Sequence, residues 1–276
     1  MKARSFTGSC MALGLLLSAP DAAVARDGSL EQCGSLSAPV RDVIHHCRRA
    51  LSRGGLTKKQ EFVANLNLGD ALLSTGTPGA ARDAFAAAAA TGLERVELYV
   101  GRARAEEALG DRMAAARQLD RALELAPQSL DVRLARGAFY LRISQPEAAL
   151  EEFNAAVRID GDDADARFNR GLTLIALNRG GEAASDFSAV ISSYPNDAGA
   201  YFQRGRAREG RDDSGALQDF DQATELSPEW ALPYFVSGQL LDRLGREAEA
   251  NRRFRRAFEL GHKDPWLLNR IRSLGG

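Results

Sequence analysis

Residues 164–197 read ADARFNRGLTLIALNRGGEAASDFSAVISSYPND, and their internal spacing decides the fold. Gly171 is followed twelve residues later by Ala183, then by Phe187 and Pro195. The same offsets recur on both sides. Residues 130–163 hold Gly137, Ala149, Phe153 and Ala156, and residues 231–264 hold Gly238, Gly245, Ala250, Phe254 and Ala257. Upstream, Gly69, Gly76, Ala81, Phe85 and Ala88 fit a unit from 62, and Tyr99, Gly110, Ala115, Leu119, Ala122 and Pro127 one from 96. A fifth unit carries Gly205, Ala216, Phe220, Ala223 and Pro228, one residue shorter between its halves. The units 62–95, 96–129, 130–163, 164–197, 198–230 and 231–264 abut, five of 34 residues and one of 33. A fixed period of this length marks a repeat array.

Each unit contains two amphipathic segments of about a dozen residues. Turns such as Gly76–Gly79, Gly110-Asp111, Gly180-Gly181 and Gly245-Arg246 separate them. Small residues near the middle of both segments let two helices approach closely, and the aromatic beside them fills the remaining space. One such pair cannot bury its own apolar face, so the pairs stack. Composition agrees: 26 glycines accompany only 7% aromatics, with 45% apolar and 26% charged residues. That apolar content exceeds that of a disordered chain, and a net charge of -1 provides no pull toward nucleic acid.

The pattern resembles the tetratricopeptide repeat (TPR) family. The family favours a large residue, Leu, Gly, aromatic, Ala, aromatic, Ala and Pro at positions 4, 7, 8, 11, 20, 24, 27 and 32. Departures recur at position 7, where Arg102, Arg136, Arg170 and Arg204 replace Leu, and at position 8, where Ala103 replaces Gly. The resemblance implies an all-α, right-handed α-solenoid of helix-turn-helix units. An N-terminal helical segment, 26–61, is expected to cap it, with Val43, Cys47, Ala50 and Leu51 forming a half-repeat. A C-terminal capping helix is expected over 265–276, opened by Asp264 and Pro265 and covering the array with Trp266, Leu267, Leu268 and Ile271.

Residues 1–25 have the form of a secretory signal peptide. Lys2 and Arg4 precede the apolar stretch Met11–Ala19, and Ala23-Val24-Ala25 is an A-x-A cleavage site. Cys10 lies before that stretch, whereas a lipoprotein needs its cysteine after it. Cleavage would leave 34 basic and 36 acidic residues, and two cysteines, Cys33 and Cys47. An even pair in an oxidising compartment suggests a disulfide. Free thiols and a metal site with His45 and His46 are the alternatives, the latter disfavoured because adjacent helical side chains point about 100° apart. No metal or cofactor is expected, and no run after the leader approaches the roughly 20 apolar residues of a membrane span. The expected location is the bacterial periplasm, without membrane insertion.

Two sets of residues invite a functional reading. Arg136, Arg170 and Arg204 at position 7 are matched by Glu152, Asp186 and Asp219 near position 23. That spacing suggests ion pairs within units, with anion binding as the alternative. Catalytic motifs such as G-x-S-x-G, H-E-x-x-H or a phosphate loop are missing from the sequence, so no enzyme activity is expected. What the resemblance implies instead is binding in a concave groove lined by positions 2, 5, 9, 12 and 13. Position 5 reads Leu66, Val100, Leu134, Phe168, Phe202 and Phe235. The candidate site is Leu134, Phe168, Asn169, Leu172, Ile175, Phe202, Gln203, Arg206, Phe235 and Gln239. The phenylalanines are either a contact ladder for a peptide or protein segment, or packing between helices. The two-carboxylate clamp of some TPR proteins lacks its residue set here. The expected role is a scaffold in envelope assembly or secretion, with a self-associating spacer or an auxiliary subunit of an envelope enzyme as alternatives.

Overall fold

A computed structural model describes residues 28–35 and 37–274. The expected signal peptide, 1–25, lies outside them. Among the described residues every regular element is a helix, and the contacts divide into two compact units, one ending at Ile143 and one starting at Ser144.

The first unit opens with α1 (Ser29–Cys33) and α2 (Val40–Arg53). Helix α1 packs inward, with its Leu30 and Cys33 buried in the same cluster as Phe62, Leu66 and Leu98. Cys33 and Cys47 are joined as a disulfide that ties α1 to α2, with Cα atoms 4.6 Å apart. Cys47 and Ala50 are buried, while Val43 and Leu51 pack half-buried on the same cluster. The following helices are α3 (Lys58–Ser74), α4 (Pro78–Ala90), α5 (Val96–Ala108), α6 (Arg112–Leu125) and α7 (Leu130–Arg142). Helix α3 begins four residues before the repeat frame because Thr57 and Gln60 form a reciprocal capping box there.

The second unit contains α8 (Pro146–Ile159), α9 (Ala164–Ala176), α10 (Gly180–Ser193), α11 (Ala198–Arg208), α12 (Asp213–Leu226), α13 (Ala231–Arg243), α14 (Glu247–Glu259) and α15 (Pro265–Leu274). Their starts are encoded locally. Asp163, Asp197 and Asp212 each accept the amide of the third helical residue, and Pro146 begins α8 where no amide is needed. Asp264 accepts the Leu267 amide at 3.1 Å and opens α15. The deletion in the fifth repeat shortens its first helix, so α11 has 11 residues where α9 and α13 have 13.

The second helix of each pair supplies the most deeply buried rings of both cores. Phe85, Phe187, Phe220 and Phe254 are fully buried, and the alanines around them are equally closed off. Each ring is worth about 2–3 kcal/mol in water-excluded apolar surface. The close approach depends on glycine: a methyl carbon on Gly69 would meet the Phe85 ring at 2.5 Å, and one on Gly238 the Phe254 ring at 2.6 Å. The second repeat replaces both partners together. Leu119 stands where the others have Phe, and Ala103 occupies the glycine position, with Phe139 of α7 completing the cluster.

Candidate partner-binding site

The first helices of the repeats carry the expected site. Leu134 lies on α7 in the first unit and is buried. The other nine residues lie on α9, α11 and α13 in the second unit. Phe168, Phe202 and Phe235, expected as a possible contact ladder, are only 5%, 2% and 8% exposed. Phe168 meets Phe187 edge-on at 5.4 Å between ring centroids. Phe202 lies 5.8 Å from Phe220 and 4.9 Å from Trp230. Phe235 contacts Phe254, His262 and Trp266 at 6.2, 4.4 and 6.3 Å. The reading of these rings as an open contact ladder is therefore corrected: their faces are already occupied, so they pack helices together. Leu172 is likewise buried, whereas Ile175, Gln203, Arg206 and Gln239 are half-buried.

Polar groups on the same helices fall into two classes. Several acids at positions 9 and 12 are held by arginines two helices further along. Glu209 of α11 binds Arg243 of α13 at 2.7 Å, and Asp242 of α13 binds Arg270 of α15 at 3.1 Å. In the first unit Glu107 is gripped by Arg142, and Asp70 binds Arg104 at 3.3 Å. These pairs stand in water and each contributes about 0–1 kcal/mol. The other class has no partner among the described residues. Asn169 is 4% exposed, and its Oδ1 is buried without a hydrogen bond from any described residue. Gln203 presents a buried Oε1 in the same condition. Both occupy the sixth position of their repeats, on the consecutive first helices α9 and α11. Arg206, one turn along from Gln203, makes no ion pair with a described residue.

The position-7 arginines do not belong to this site. Arg170 binds Asp186 through two bonds, Nη2 to Oδ1 at 2.6 Å and Nε to Oδ2 at 2.8 Å, and Arg204 holds Asp219 through the same two nitrogens. Asp186 and Asp219 are almost fully buried, and such carboxylates persist only when paired. Hydrogen bonding to Asp186 raises the Arg170 pKa and keeps the guanidinium charged. Each guanidinium also reaches back to the preceding repeat. Arg136 binds Asp120, Arg170 binds Asn154 and Arg204 binds Ser188, in each case sixteen residues upstream. Sequence spacing predicted pairing within a repeat and missed this link between repeats, because its upstream partner changes from Asp to Asn to Ser.

Residues 100–166 and 168–229 match the profile of the tetratricopeptide repeat family. The chain is a tetratricopeptide repeat protein. Solved structures similar to this TPR chain include PilF of Pseudomonas aeruginosa, at 14% identity and a TM-score of 0.66, covering 78% of this chain and 98% of that one. A TPR protein of Parabacteroides merdae aligns at 17% identity and a TM-score of 0.61, over 83% of this chain and 90% of that one. YrrB, described as a TPR protein with an unusual peptide-binding site, aligns at 23% identity and a TM-score of 0.52, over 68% and 95%. At these identities the likeness is one of fold. Among curated proteins none matches significantly.

Within the described part of this TPR chain, no group of three or more His, Cys, Asp or Glu residues is arranged to hold a metal. The rings of His45 and His46 lie at 79° to one another. No described helix is long and apolar enough to cross a membrane.

Proposed function

We propose that this TPR protein binds a peptide or protein segment along the first helices of its fourth to sixth repeats, α9, α11 and α13. The observation that carries the reading is the pair of orphaned acceptors, Asn169 Oδ1 and Gln203 Oε1. A buried acceptor without a partner costs about 1–3 kcal/mol, so a side-chain turn that brings these two amides to a bound segment's donors would recover that cost on two consecutive repeats. Main-chain N–H groups of a bound segment are donors of that kind. Ile175 and the unpaired Arg206 add apolar and cationic contacts, and YrrB supplies a precedent for peptide binding on a related fold.

The leader-like sequence of residues 1–25 and the Cys33–Cys47 pair support export to an oxidising envelope compartment, with a scaffold role in assembly or secretion there. Protein recovered from the envelope is expected to begin at Arg26 and to hold no alkylatable thiol before reduction. An intact leader in mature protein would overturn export.

The binding test uses half-buried positions, since replacing the core phenylalanines would unfold the repeats. Partners crosslinked in envelope extract to wild type are compared by mass spectrometry with those of Ile175→Arg/Arg206→Glu. Specific loss from the variant at unchanged helicity is expected. Equal recovery by both would sink the groove reading.

A further inference from the structure

Charge is unevenly distributed along the chain. Residues 243–276 hold nine Lys+Arg against four Asp+Glu, although the whole sequence has 36 against 37. Much of this excess sits on α14, whose sequence includes Arg252, Arg253, Arg255 and Arg256. Two of the four are engaged within the second unit. Arg253 binds Asp221 and lies over the Tyr234 ring, and Arg256 approaches Glu229 and Glu259 at 3.8 and 3.6 Å. Arg252 and Arg255 are exposed and make no ion pair with any described residue. The nearby acid Glu249 is already held by Arg246 through two 2.7 Å bonds.

Arg252 and Arg255, three residues apart, lie on the solvent side of α14, and Phe258 follows Arg255 by three residues and the buried Phe254 by four, at the exposed edge of that face. Phe258 is 43% exposed. On α15, Trp266 is 45% exposed, and Lys263 between the helices is exposed with no ion pair to a described residue.

We propose that this face of α14 docks on an anionic phospholipid surface. Unpaired guanidiniums attract the headgroups over a distance of about 8–10 Å at moderate salt. The arginine stems can lie along apolar surface while their heads stay with phosphate. An exposed aromatic between such cations is the second element of interfacial binding, since its ring enters the headgroup boundary. An acidic polypeptide would be satisfied by the arginines alone, and Phe258 then has no part. This docking lies on the second helix of the sixth repeat and is independent of the first-helix groove proposed above.

Co-sedimentation with vesicles of phosphatidylglycerol and phosphatidylcholine, against vesicles of phosphatidylcholine alone, tests the assignment. Wild type is expected to bind the anionic vesicles at least about tenfold better, with the preference lost in 0.5 M salt as screening demands. Arg252→Glu/Arg255→Glu is expected to weaken binding by about tenfold or more, and Phe258→Ser several-fold at unchanged charge. Thermal melts confirm that both variants fold, since all three side chains are exposed. The assignment fails if wild type shows no preference for anionic vesicles or if the double variant binds as well. It also fails if Phe258→Ser is without effect while soluble polyglutamate binds comparably, because the partner is then an acidic polypeptide.

Discussion

Phe187 lies so close to Gly171 that a methyl carbon on that glycine would sit 2.7 Å from the ring's Cζ. The contact joins the two helices of the fourth repeat and recurs as Gly205 with Phe220 and Gly238 with Phe254. Helix propensity alone would favour alanine at these positions by up to about 1 kcal/mol. Overpacking against a buried ring costs about 1–3 kcal/mol, so sterics win. Gly171→Ala is expected to lower stability by about 1–2 kcal/mol, read from urea unfolding. Gly79→Ala, where nothing lies within 4 Å of the added carbon, is expected to be neutral or slightly stabilising.

The Arg170–Asp186 pair predicts a non-additive double mutant. Asp186→Ala leaves a partly buried guanidinium facing a vacated site and is expected to cost about 2–4 kcal/mol. Arg170→Met/Asp186→Leu removes both charges and is expected to recover most of that loss. Thermal denaturation of the three proteins measures it. A double variant no better than Asp186→Ala would mean that the site requires charge.

Asp163 sets an expectation for pH. Burial raises its carboxyl above the ordinary value, aided by Asp165 and Asp160 and opposed by the Ala166 amide that it caps. The folded state thus holds the proton more tightly than the unfolded chain does. The associated stability is present at low pH and declines as pH rises through the raised pKa. Asn keeps the cap without the charge. Asp163→Asn is therefore expected to raise Tm more at pH 7 than at pH 3, and the reverse order would contradict the sign.

Ser144 has φ of 62° and Asn178 of 59°, at repeat positions where the first, second and sixth repeats place Gly76, Gly110 and Gly245. Left-handed backbone is strained for Ser and tolerated by Asn. Ser144→Gly is expected to stabilise by about 0.5–1 kcal/mol and Asn178→Gly by less, measured as shifts in the urea midpoint.

Reduction of Cys33–Cys47 opens a bond between residues 14 apart. Loop-closure entropy puts the loss at about 3 kcal/mol. Hydrogen exchange is expected to quicken in α1–α3 while α9–α12 keep their protection, since each repeat contacts mainly its neighbours. Equal acceleration in both regions would show that the array unfolds as one.

The candidate site was legible only in part. Repeat register placed Asn169, Gln203 and Arg206 on consecutive first helices, and the structure leaves Asn169 Oδ1 and Gln203 Oε1 buried without a hydrogen bond from a described residue. Register also put Phe168, Phe202 and Phe235 there, but it could not say which way their rings turn. Each ring turned inward onto the aromatic of its own second helix. Asp70, Glu107, Glu209 and Asp242 occupy groove positions 9 and 12 in the same register, yet arginines about one repeat length downstream hold them. Those pairings depend on how one repeat is rotated against the next.

The sequence by itself determined the helical class, the repeat period and the buried stripe of each second helix. All three rest on local periodicity: 3.6 residues per turn within helices and 34 residues between units. Tertiary structure alone decided which charges neutralise one another, which aromatics are covered, and that Leu30 and Cys33 form a packed helix ahead of α2. Those outcomes depend on distances between side chains far apart in sequence. Electrostatic pairing and packing change sharply over an ångström or two, whereas periodicity records only the face on which a residue lies.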